Sequence, residues 1–71
     1  MNTWRSFEHT EPRLGSTIEV VAYLPRDGVR LWHGRYVSMD YDQFILETTV
    51  AGATSFFWKH VDIPEYTQRG N

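Results

Sequence analysis

The chain predicts an all-β fold, small α+β at most: a five-stranded, strongly bent antiparallel barrel. Three observations carry that prediction. Thr17 to Leu24, TIEVVAYL, alternates Ile18, Val20, Ala22 and Leu24 against Thr17, Glu19, Val21 and Tyr23, the period-two pattern of a strand with one buried face. PRDG at 25–28 is a turn with a mechanism, since Pro25 presets φ, Asp27 can bond its own backbone and Gly28 accepts positive φ. Beyond that turn, short β-rich runs follow one another at close spacing, separated by Gly and Asp.

In chain order, residues 1–16, MNTWRSFEHTEPRLGS, read as a short helix or loop, because Pro12 and Gly15 punctuate them and Trp4 and Phe7 are spaced to share a helical face. Residues 17–66 make the barrel and 67–71 a tail. VRLWHGRYVS at 29–38 is a long second strand, with Gly34 marking a bend or a close backbone approach. MDYD turns the chain, QFILETT at 43–49 makes a third strand, Gly52 turns it again, and SFFWKHV at 55–61 makes a fourth. DIPEY at 62–66 adds only a short fifth segment, because Pro64 lacks an N–H.

At 71 residues the chain is one domain, near the size where a single core leaves only marginal stability. It has no Cys, which excludes disulfides and thiolate zinc sites and leaves oligomerisation as the remaining support. Interspersed charges and 41% hydrophobic residues describe a folded module. No run approaches the roughly 18 apolar residues of a membrane span and no leader pattern stands at the start, so a cytoplasmic protein without a membrane partner is expected. A net charge of −2 argues against a generally basic, nucleic-acid-coating surface.

The stretch SFFWKH places three aromatic residues in succession before a cation and an imidazole. Read as a strand, it needs cover on both faces, one supplied by the core and the other by a neighbouring subunit. Phe56, Phe57, Trp58, Val61 and Ile63 are therefore expected at a subunit interface. His9, His33 and His60 share no ligand spacing, so no metal is expected. No nucleophile with a base and acid, no paired carboxylate site and no Gly-rich phosphate loop is visible, so neither catalysis nor a cofactor is expected. Asp40 and Asp42 read as turn chemistry.

Three pieces of the chain carry a family resemblance: the Gly-led second strand ending at Gly34, the triplet Asp42-Gln43-Phe44 with Ile45 and Leu46 behind it, and Lys59-His60 at the end of the fourth strand. In order and spacing they resemble the bacterial Hfq branch of the Sm/LSm family over residues 17–64. The resemblance implies a short N-terminal helix on a five-stranded Sm-like barrel, closed into a homo-oligomeric ring of about five to seven subunits by pairing the fourth strand with the fifth of the next copy. It implies single-stranded RNA, with DNA as the other candidate, bound at a central pore: Phe44 stacks on a base, Gln43 helps hold it, and Lys59 and His60 contact base, sugar or phosphate. A second RNA face would use Tyr23, Val29 and Arg30. The segment before the triplet is longer than in the family, so Asp40 competes with Asp42 for the family Asp position.

Such a site has physical sense, since a base stacked on an aromatic ring is worth ~1–3 kcal/mol and a lone lysine gains weight when a ring repeats it. The rival expectation is a protein-interaction or structural module of the same fold that does not bind RNA. The acidic balance and the single lysine favour it. The plainer readings are Phe44 as core, Gln43 as a turn cap, and Lys59 and His60 as a solvated strand end.

Overall fold

A computed structural model describes residues 3–61. The elements are β1 (Arg5–Ser6), β2 (Thr17–Leu24), β3 (Gly28–Arg35), α1 (Met39–Val50) and β4 (Ser55–His60). The strands form one antiparallel sheet in the order β1-β4-β2-β3. The predicted hairpin forms as read, with Leu24 opposite Gly28 at the turn and Gly28 at φ 86°. Alternation in β2 sends Ile18, Val20, Ala22 and Leu24 to one side, where they join Trp58, Phe44 and Tyr36 in the core. Helix α1 covers that side of the sheet.

The segment expected to be a third strand is helical, and so is the expected MDYD turn. Ser38 caps the helix by accepting a 3.1 Å hydrogen bond from the Tyr41 N–H, and Asp40 and Asp42 lie in the first turn, where carboxylates complement the helix dipole. Tyr41, Phe44, Ile45 and Thr48 follow the i, i+3, i+4, i+7 spacing of one helical face, and that face packs on the sheet. Thr48, fully buried, satisfies its hydroxyl by donating 2.7 Å to the Phe44 carbonyl. Gly52, at φ 97°, ends the helix: its N–H bonds the Thr49 carbonyl and the Ala53 N–H the Thr48 carbonyl, the paired bonds of a glycine C-cap.

Of the two readings of residues 1–16, helix or loop, the shared helical face of Trp4 and Phe7 is corrected. The described part of the N-terminal segment holds no helix; Arg5 and Ser6 pair with Trp58 and Phe57 instead. Extended backbone sends Trp4 and Phe7 to opposite sides, Phe7 into the aromatic core beside Tyr36, Tyr41 and Trp58, and Trp4 toward Lys59. The Trp58 indole N–H donates 3.1 Å to the Thr10 carbonyl and so holds this segment down. The sheet of the described residues is an antiparallel array of four strands with one helix, a small strand-dominated α+β arrangement. The expected fifth segment, 62–66, and the tail lie outside the described residues.

Gly34 is a close approach, as its position suggested, but to a side chain. A Cβ there would lie 2.8 Å from the Trp32 ring, two residues back on the same face of β3. Val37, just beyond β3, has φ 60°, a left-handed conformation that a β-branched residue adopts only under tertiary constraint.

Candidate functional site

With the helix on one side, the other side of the sheet carries the alternate residues. They are Glu19, Val21 and Tyr23 from β2, Val29, Leu31 and His33 from β3, and Phe57 and Lys59 from β4. No described element lies over this face. Leu31 is 61% exposed, Val29 51%, Tyr23 43% and Trp4 39%. Tyr23 and Phe57 meet edge to face at 5.7 Å, which joins them in one apolar surface. Lys59 borders it, 3.8 Å from the Glu19 carboxylate and 4.8 Å from the Trp4 ring centroid.

The run SFFWKH therefore divides by strand alternation. Phe56 and Trp58 point to the core, Phe57 to the open face, and Lys59 and His60 to opposite sides of the sheet. His60 is exposed on the core side, with its ring 5.2 Å from Trp58. The burial of Trp58, 3% exposed, is achieved within one chain, and β1 occupies the outer edge of β4 beside Phe57 and Trp58. Val61 donates its N–H to the Thr17 carbonyl; Ile63 lies outside the described residues.

The other expected site residues are dispersed too. Phe44 is 6% exposed beneath Trp32, so its ring faces are spent on packing. Gln43 is exposed on α1 and donates 2.8 Å to the Glu47 carboxylate. Tyr23 and Val29 are cross-strand neighbours on the open face, whereas Arg30 points to the helix side, 3.8 Å from Glu47. Sequence reading missed Leu31 and Trp4 as surface residues. The signal for Leu31 was available, since it alternates with Val29 and His33 within a strand already recognised.

A groove of about 300 Å³ runs between the outer edge of β3 and α1, lined by Arg30, Leu31, Trp32, Asp40, Gln43, Phe44 and Glu47. In the aromatic cluster behind it, burial pushes the Tyr41 phenol up to about 12, aided by Tyr36, Asp42 and Glu11. Burial and the Glu11 carboxylate raise Tyr36 as well.

Among the described residues, no group of three or more His, Cys, Asp and Glu side chains is placed to hold a metal ion, and no helix is long and apolar enough to cross a membrane. No protein-family model, curated protein or solved structure matches the chain.

Proposed function

We propose that this chain is a non-catalytic interaction module that associates with a second copy of itself through the open face of its sheet. The observation that carries the reading is the apolar surface of Tyr23, Val29, Leu31 and Phe57 on the side of the sheet that no described element covers. Contiguous apolar patches of several hundred Å² on small soluble domains mark interaction sites. A second copy suits it because a 71-residue chain without disulfides gains a larger core by stacking two sheets.

The magnitude sets the strength. Three strands of this length present a face on the order of 400 Å², so two faces bury on the order of 800 Å², at the low end for protein pairs. The association is accordingly weak and concentration-dependent, in the micromolar range or above.

Light scattering over a series of protein concentrations tests this. A mass rising from monomer toward dimer, abolished by Leu31→Glu with the circular dichroism unchanged, is the expected result. A monomer at every concentration up to the millimolar range overturns it. The Sm-like RNA-binding reading has its own signature: salt-sensitive binding of oligo-U that Lys59→Ala weakens. That result without self-association would replace the present proposal.

A further inference from the structure

The outer edge of β3 has backbone groups with no partner among the described residues. The Tyr36 N–H donates 2.9 Å to the Ser16 carbonyl in the register that continues along the hairpin, so the hydrogen-bonded pairs of β2 and β3 are Ile18/Gly34, Val20/Trp32 and Ala22/Arg30. Val29, Leu31 and His33 belong to the alternate pairs, and their N–H and C=O groups point away from β2. Sheet edges are commonly blunted by proline, lysine, a bulge or a covering element. β3 contains neither proline nor lysine; its charged residues are Arg30, drawn to Glu47, and Arg35 at its end, and it pairs in unbroken register with β2 over eight residues.

Beside this edge lies the groove between β3 and α1. Its floor is the Trp32–Phe44 stack, with ring centroids 5.9 Å apart. Its helix wall carries Asp40, Gln43 and Glu47, against a single cation, Arg30, which sits by Glu47. Asp40 is in no ion pair among the described residues. A strand added to β3 would place every second side chain on the helix side, against this acidic wall and aromatic floor.

We infer that β3 accepts an extended peptide segment by strand addition, with basic side chains at alternate positions seated in the groove against Asp40 and Glu47. This rests on the reading of the chain as a protein-interaction module and supplies a partner for the hydrogen-bonding edge of the sheet, which adjoins the self-associating face at Val29 and Leu31. Main-chain hydrogen bonds to Val29, Leu31 and His33 hold the segment, and the acidic wall selects its charge. A lysine also lays its aliphatic stem over the Trp32–Phe44 floor while its ammonium reaches the carboxylates. The same wall disfavours a phosphate backbone.

The probe is an alternating Lys-Val peptide matched to the eight residues of β3, titrated into labelled full-length protein and followed by amide NMR. Two control peptides leave the protein untouched: alternating Glu-Val, and Lys-Val with N-methyl groups on alternate residues. The expected result is saturable shifts centred on the Val29, Leu31 and His33 amides, with binding at least about tenfold weaker for each control. Asp40→Lys should narrow or reverse the preference between the Lys and Glu peptides. Equal binding of the N-methylated peptide, shifts confined to the inner-strand residues Val21, Tyr23 and Phe57 with the β3 edge amides unmoved, or oligo-U shifting these amides where the peptide does not, each overturns the inference. Self-association is read separately by light scattering, so a dimer that ignores the peptide refutes strand addition alone, and a monomer that binds it refutes only the self-association.

Discussion

Trp32 of β3 stacks on Phe44 of α1, ring planes 24° apart, and this contact couples the helix to the edge of the sheet. Phe44 is thereby a core residue. Phe44→Ala should cost about 3–5 kcal/mol, much of the roughly 4–10 kcal/mol expected for a chain of this length. Urea denaturation checks it: loss of the cooperative transition, or a midpoint close to zero denaturant, is expected. An unchanged midpoint would return Phe44 to the list of available stacking platforms.

The same tryptophan explains Gly34. With its Cβ only 2.8 Å from a ring already held against Phe44, Gly34→Ala forces Trp32 off its stack. A destabilisation of about 1–3 kcal/mol is expected, in the range of overpacked cores. Adding Trp32→Leu should recover part of the Gly34→Ala loss, and a double-mutant cycle without coupling would show that the two positions act independently.

Val37 offers the opposite sign. A β-branched residue at φ 60° pays roughly 1–2 kcal/mol that glycine avoids, against about 0.5–1 kcal/mol of extra chain entropy lost by glycine. Val37 is also 49% exposed, so little packing is lost. Val37→Gly should be neutral to stabilising by about 1 kcal/mol, whereas ordinary surface Val→Gly changes destabilise. Thermal melts of the two proteins decide it.

The raised phenols give a pH dependence with a definite sign. Burial holds Tyr41 and Tyr36 protonated in the folded state, Tyr41 up to about 12. A folded pKa above the unfolded value near 10 contributes stability that is complete below that unfolded value and is lost as pH rises through the folded one. Denaturation midpoints should therefore fall between about pH 10 and about pH 12, and Tyr41→Phe should flatten that fall. An identical alkaline profile for the variant would assign the loss to other groups.

The hairpin and the last strand were legible because their signals are local. Alternation over Thr17–Leu24 and the PRDG turn specify β2, β3 and their register without help from the rest of the chain. The helix was misread although its start was written plainly, with Ser38 before Asp40 and Asp42 and an i, i+3, i+4, i+7 series from Tyr41 to Thr48. The apolar run Phe44-Ile45-Leu46 and the β-branched Thr48, Thr49 and Val50 fit a strand equally well, and the close spacing of β-rich runs on either side favoured that reading.

The expected pore residues also separated for a geometric reason. Adjacent strand residues face opposite ways, so Lys59 and His60 part, and helix formation puts Gln43 on the surface and Phe44 beneath it.

By itself, then, the sequence determined a small antiparallel sheet with one defined hairpin, because turn chemistry and two-residue alternation act between near neighbours. Tertiary structure decided between the helical and extended readings that residues 39–50 both allow, because packing of the helical face against Trp32 and the sheet buries Phe44 and Thr48. It also decided which face of the sheet stays open: α1 covers one side, and on the other Val21 is buried among its neighbours while Tyr23, Val29 and Leu31 are left facing outward.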